Sequence, residues 1–346
     1  MKADILERSP TETPQALSAS SDRAFGTRPP SFDIAMGAVV LAVYGLIAIL
    51  YPHFRLHLRM DNAWEEILPS VEVTAFLIPL LAFYVWRRER RACGLLRIAL
   101  WAHLAFSALV LPIYIPLRSS TRLVDPFLAR ADHFIGFDQH TFVTWVVAVP
   151  AVNHFFWFMY TTLIALCGLT VVVLPFIGRL ERAQNLLIAI ILSFAITLVI
   201  EYFFAGIGPW ETGGIVTDNS QRAVGQVIRH LKTDADFVVD LAKSEPLITI
   251  PSWHTILAVL CALAMRPVRI LGPLAVLWST LIVISTLTTG WHYLVDVLAG
   301  LAVAFGTHFF VQRFILPRVA DRVPVPPLVI RGLFRPLESK ATRNED

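Results

Sequence analysis

The stretch TGWHYLVDVLAG, Thr289 to Gly300, sits at the junction of two apolar runs, about Ile270–Thr288 and about Trp291–Leu316. Runs of about 20 residues are what a hydrocarbon core about 30 Å thick requires of a helix rising 1.5 Å per residue. A soluble domain would show amphipathic stripes instead. Within the stretch, His292 and Asp296 are four residues apart, a spacing that puts both side chains on one face of a helix. A charged residue at the centre of a membrane helix costs roughly 2.5 to 3.5 kcal/mol. The pair is therefore the first place to look for chemistry.

Similar runs recur along the chain, which has 346 residues, 56% of them hydrophobic and 16% charged, with a mean hydropathy of +0.63. Lipid leaves open backbone groups no partner, so the expectation is an all-α, polytopic membrane helical bundle. The net charge of +3 is spread over loops, with no basic stripe for nucleic acid. Cys93, Cys167 and Cys261 lack metal-ligand spacing and read as small buried hydrophobes. Neither a disulfide framework, nor a metal site, nor a cofactor is indicated.

Met1–Ser31, rich in Ser, Pro, Thr and charge, reads as a disordered tail without a signal-peptide pattern. N-terminal transmembrane helices and an outer connection occupy residues 32–150. Their spans are about Asp33–Tyr51, Ile67–Trp86 and Leu95–Leu117. In the connection, HTFVTWVVAV (His140–Val149) either lies flat at the interface or lengthens the next helix. Five more spans fill residues 151–316, about Ala151–Ile177, Leu186–Phe204, Ser252 onward, Ile270–Thr288 and Trp291–Leu316. The segment from Pro317 to Asp346 is polar and reads as a second tail. About eight transmembrane helices result.

With eight spans, both termini share a side, and that side holds 20 of the 29 Lys and Arg. The positive-inside rule makes both tails cytoplasmic. The connection Ile207–Ile250, Ser252 and Gly290 then lie on the extracytoplasmic face. Three segments converge there: GIGPW (Gly206–Trp210), PSWHT (Pro251–Thr255) and GWHYLVD (Gly290–Asp296). Each carries a Trp, at Trp210, Trp253 and Trp291, as suits the headgroup level. Pro251 and Ser252 suit a helix start and cap. The free N–H groups of such a first turn make an anion site, and a second helix opens beside His292. Two helix N-termini, each with a His, suit a phosphate ester.

PSWHT together with STLTTGWHYLVDVLAG resembles the second and third motifs of the type 2 phosphatidic acid phosphatase superfamily. The likeness is greatest to its inositol phosphorylceramide synthase branch, the inositolphosphotransferases of sphingolipid metabolism, whose motifs read PSxH and HYxxD. The resemblance covers about Ala151–Leu316 and implies a phosphatase-like catalytic core in the last five spans. It implies that His292 is a nucleophile forming a phosphohistidine, that Asp296 orients it, and that His254 is the acid and then the base. It also implies that Ser252, Trp253, Thr255 and Gly290 bind phosphate oxygens, and that no metal takes part. The partners would be a phospholipid donor and a lipid alcohol, or water, as acceptor.

This chain departs from the phosphatase members at three cations. Where they carry an Arg after the Ser of the third motif, Thr286 follows Ser285. Where their first motif has a Lys and an Arg-Pro, the aligned residues are Glu201, Gly208 and Pro209. A diester monoanion needs less positive charge than a monoester dianion, so the loss favours head-group transfer over hydrolysis. Glu201, Pro209, Trp210 and Arg222 are candidate pocket residues, and Arg229, Lys232 and Lys243 are further cations of the outer loop. Glu201 either lines the pocket or caps a turn. His154 reads as a helix-packing residue, while His103 and His308 carry no functional expectation. Val224, Val227, Ile228 and Leu231 recur at helical spacing, marking an amphipathic segment that either covers acyl chains or packs onto the membrane surface. A transporter is the third reading. Its polar residues would lie near the midplane rather than at one end of the helices.

Overall fold

The computed structural model describes residues 31–59, 63–120, 122–214, 219–240 and 247–319. The expected tail Met1–Ser31, all but its last residue, the C-terminal segment from residue 320, and Lys243 lie outside these residues. The protein is an all-α membrane bundle. Among the described residues, six helical segments are long and apolar enough to span a bilayer: Ser31–His53, Ile67–Trp86, Arg90–Ser119, Leu180–Thr212, Leu271–Thr288 and Leu294–Val319. The two other expected spans are shorter pieces.

In chain order, α1 (Ser31–His53) leads through a short strand β1 (Leu56–Leu58) to α2 (Ala63–Trp86), which packs on α3 (Arg90–Leu109). A 3-10 turn then continues into α4 (Tyr114–Ser119). Two helices follow, α5 (Asp125–Phe134) and α6 (Gln139–Val147). The His140–Val149 stretch does not lengthen the next helix, because α6 meets α7 (Pro150–Thr161) at a bend of 109°. Asp138 caps α6 by accepting from the Thr141 N–H, and Pro150 opens α7 at a position where its missing N–H costs nothing. The expected fourth span is thus α7 plus α8 (Leu163–Phe176), joined at Thr162. The Thr162 hydroxyl accepts from the indole of Trp278 at 2.8 Å.

After α9 (Leu180–Phe204) come the short α10 (Pro209–Thr212), α11 (Asn219–Thr233) and strand β2 (Phe237–Val239). The bundle closes with α12 (Trp253–Met265), α13 (Leu271–Thr288) and α14 (Leu294–Phe310). At 13 residues, α12 is about 20 Å long and lies at the centre, packed against α8, α9, α13 and α14. Its Ile256, Leu257, Ala258, Leu260 and Cys261 are all buried. Close approach of α14 to the start of α12 depends on Gly300, where a Cβ would come within 2.9 Å of the Ser252 carbonyl oxygen.

The amphipathic segment is α11, and its apolar face covers protein rather than membrane. Val224, Ile228 and Leu231 are buried in one cluster with Tyr114, Leu117, Trp210 and Trp291. Gly225 lets the helix settle onto Trp210, whose ring lies 2.9 Å from where a Cβ would be. Parallel pairing of β1 with β2 ties this connection to the end of α1. Arg118 pins it from below, donating to the carbonyls of Phe54, Leu231, Asp234 and Ala235. His154 is exposed on α7 rather than packed between helices, whereas the His103 ring meets the Ser70 hydroxyl at 3.0 Å.

Candidate active site

Three chain segments meet at one end of the bundle. Ser252 caps α12, its hydroxyl oxygen accepting from the Thr255 N–H at 3.4 Å and the Thr255 hydroxyl at 3.1 Å. The Ser252 N–H donates to the Asp296 carbonyl at 3.0 Å, which joins the start of α12 to the first turn of α14. The N–H groups of Trp253 and His254 have no acceptor among the described residues. The Ser252 cap leaves these two donors free, so the turn is an open anion site. Thr255, by contrast, already has a partner.

His254 is the second residue of α12, and its ring centroid lies 6.2 Å from that of His292. Tyr160, on α7, stacks on His254 at 4.2 Å and 17°. The Tyr160 ring also runs parallel to Trp291 at 6.4 Å. One face of the His254 imidazole is therefore covered, leaving its edge for chemistry.

His292 is not on a helix. It lies in the turn between α13 and α14, and α14 begins two residues later at Leu294. Its Nδ1 is 2.9 Å from the Thr249 carbonyl oxygen and 3.7 Å from the nearer Asp296 oxygen. That same carboxylate oxygen accepts the Tyr293 N–H at 2.8 Å, closing a capping box. Burial pushes the imidazole down to about 4, against the pull of the Thr249 carbonyl. The ring is therefore neutral at pH 7. With Nδ1–H directed at a carbonyl, the lone pair is on Nε2.

The second helix start is not an open anion site. Asp132, on α5, accepts the Leu294 and Val295 N–H groups at 2.8 and 2.9 Å. Together with Asp296 it fills the first turn of α14 with carboxylate. One turn plus a cap saturates the donors a phosphate would need. Asp125, two turns earlier on α5, accepts from the N–H groups of Ile207 and Gly208 and meets the Tyr293 hydroxyl at 3.4 Å. Burial raises both carboxyls above the usual range, opposed by these backbone donors.

The GIGPW segment is folded tightly against this frame. Gly208 has φ of 120°, and a Cβ there would come within 2.7 Å of the Trp291 carbonyl oxygen. Pro209 opens α10, and Trp210 is buried edge-on to Trp291 at 6.1 Å. Gly290, at φ of 76°, turns the chain before Trp291, while the Gln221 amide donates to the Thr289 carbonyl at 3.0 Å. Glu201 is fully buried and accepts the N–H groups of Thr249 and Ile250 on one oxygen, at 3.3 and 2.9 Å.

Asp125, Asp132, Thr249 and Tyr160 were not among the residues expected from the sequence. Asp125 and Asp132, seven apart in DPFLARADHF, carry a weak signal: acids at i and i+7 share a helix face. Thr249 contributes only a backbone carbonyl, which no side-chain pattern reports.

A family-level comparison matches residues 126–310 to the PAP2 superfamily. The chain belongs to the PAP2 superfamily. No curated protein and no solved structure matches it. The PAP2 superfamily match begins one residue after Asp125 and contains every histidine and carboxylate just described except that one. It makes this an integral membrane protein of a family with phosphatase-type lipid phosphoryl chemistry.

Among the described residues, the expected cations either have other partners or lie exposed. Thr286 directs its hydroxyl to the Val283 carbonyl of its own helix. Arg222 is exposed on α11, Arg229 pairs with Glu211 at 3.2 Å, and Lys232 donates to the Ser120 carbonyl and hydroxyl. Among the described residues, no group of three His, Cys, Asp or Glu is arranged to hold a metal ion.

Proposed function

We propose that the protein is a head-group phosphotransferase, resembling inositol phosphorylceramide synthase, which moves a phosphorylated head group from a phospholipid to a lipid hydroxyl. The observation that carries this reading is a pair of imidazoles at one open helix N-terminus, with no cation taking the three motif positions. His292 Nε2 attacks phosphorus, and the bond from phosphorus to the lipid alkoxide oxygen breaks. His254 protonates that oxygen as it leaves. The head group remains on His292 through a P–N bond. His254 then takes the proton of the acceptor hydroxyl, whose oxygen attacks phosphorus and releases His292. A phosphate anion between the rings favours the charged form of His254, which its acid role requires.

Ser252 and the N–H groups of Trp253 and His254 would hold nonbridging oxygens. This one donor turn suits a singly charged diester better than a monoester dianion. The positive-inside count supports cytoplasmic termini and an extracytoplasmic site. A fluorescent tag that reports an external C-terminus would reverse that orientation.

The second reading is a lipid phosphate phosphatase, supported by the same family membership. Purified protein is incubated with head-group-labelled phospholipid, with and without a lipid alcohol such as ceramide or diacylglycerol. Labelled lipid product that depends on the alcohol supports transfer. Release of water-soluble phosphate ester, unaffected by the alcohol, sinks it in favour of hydrolysis.

A further inference from the structure

Glu201 occupies the position where phosphatase relatives carry a cation, yet it touches neither imidazole. It is fully buried at the end of α9, with one oxygen accepting from both Thr249 and Ile250. The other oxygen has no partner among the described residues. The Ile250 N–H and the Thr249 C=O belong to the same peptide group. That group donates to Glu201 on one side and accepts the His292 Nδ1–H on the other, at 2.9 Å each way. The Thr249 side chain adds a second anchor, its hydroxyl donating to the Gly206 carbonyl at 2.9 Å.

From this chain of contacts we infer that Glu201 is the positioning residue for His292, acting through the Thr249–Ile250 peptide. It holds that peptide so that its carbonyl selects the Nδ1–H tautomer and leaves Nε2 as the attacking atom. A peptide group that donates to a strong acceptor becomes a better acceptor itself, because chained hydrogen bonds polarise one another. Asp296 is worse placed for the task. Its nearer oxygen is 3.7 Å from Nδ1 and is already bonded to the Tyr293 N–H. The loss of a motif cation and the gain of an orienting carboxyl are thus the same substitution. The inference rests on the reading of His292 as nucleophile.

The test has one arm on the wild-type protein and one on variants. Histidine-specific 15N labelling of the purified protein should show His292, assigned by its loss in His292→Gln, as the Nδ1–H tautomer. The Nε2–H tautomer in the folded protein would overturn the inference whatever the activity. In the second arm, Glu201→Ala and the volume-conserving Glu201→Leu should each lower kcat about 100-fold with KM unchanged, the size expected when an orienting group is lost. Glu201→Gln retains an acceptor oxygen and should stay within about threefold of wild type. A folded Glu201→Gln as impaired as Glu201→Leu, or a Glu201→Leu at wild-type kcat, overturns the proposal. Failure of the nucleophile reading looks different. Wild-type protein would then turn over lipid without any acid-labile phosphoenzyme, while the tautomer result would stand by itself.

Discussion

The Thr249 carbonyl oxygen lies 2.9 Å from His292 Nδ1, closer than the carboxylate of Asp296 four residues on, at 3.7 Å. A residue 43 positions upstream, contributing only backbone, therefore sets which nitrogen of His292 is free.

Replacing His292, the proposed nucleophile, should abolish both proposed half-reactions. His292→Ala is expected to lower kcat by at least about 10³-fold, because a nucleophile and its proton partner act as a unit. Acid-labile labelling of the protein by phospholipid should vanish with it, while the thermal unfolding profile stays cooperative. Retained turnover in a folded variant would remove His292 from the mechanism.

His254→Gln should depend on the leaving group. With a natural lipid alkoxide, kcat should drop about 10²- to 10⁴-fold, the range for losing a general acid. A substrate that leaves as an acidic phenol needs no protonation and should recover most of the formation of phosphoenzyme. Equal losses on both substrates would argue that His254 only shapes the pocket.

Asp132 closes the first turn of α14. Asp132→Ala leaves two backbone donors without an acceptor and should cost about 1–2 kcal/mol, comparable to the loss of a strong cap. The unfolding temperature in detergent measures this.

Burial also gives Asp125 and Asp132 a pH signature. Their folded-state pKa values are raised, so the folded protein holds these protons more tightly than the unfolded chain. Their contribution is fully present below the ordinary carboxylate range and is lost as pH climbs through the raised value. Between the ordinary carboxylate range and that raised value, wild type should become more stable as pH falls. Asp132→Asn, which does not titrate, should show a shallower trend in parallel melts. An identical slope in both proteins would rule Asp132 out as a contributor.

Gly208→Ala tests the close approach of GIGPW to the α13–α14 turn. A φ of 120° and a Cβ 2.7 Å from the Trp291 oxygen predict a destabilisation of roughly 1–3 kcal/mol. Activity should fall further than stability, since Trp291 adjoins His292. Unchanged melting and turnover would mean that the turn relaxes freely.

The bundle and the two histidines were legible because each has a local signature. Apolar runs of span length announce helices, and PSWHT and GWHYLVD quote family motifs with the right order. What escaped acts across distance or through backbone. The Thr249 carbonyl has no side-chain signature, and Asp132 reaches donors 162 and 163 positions away. The amphipathic pattern of α11 marked an apolar face but not its cover, which is a protein cluster around Trp210 and Trp291. Likewise, Gly290 and the α14 start looked like a second anion site only while Asp132 was unplaced. Periodicity reports that a face is buried; which neighbour buries it depends on the whole chain.

The reach of Asp132 also orders the birth of the site. Its carboxylate is made early, yet the Leu294 and Val295 amides it binds are synthesised more than 160 residues later. Throughout elongation and insertion, α5 must wait on the same side of the membrane for the start of the last helix. A nascent or truncated chain lacking that helix contains both imidazoles, but not the α14 turn that frames His292. In the proposed mechanism, competence therefore waits on the synthesis and insertion of α14.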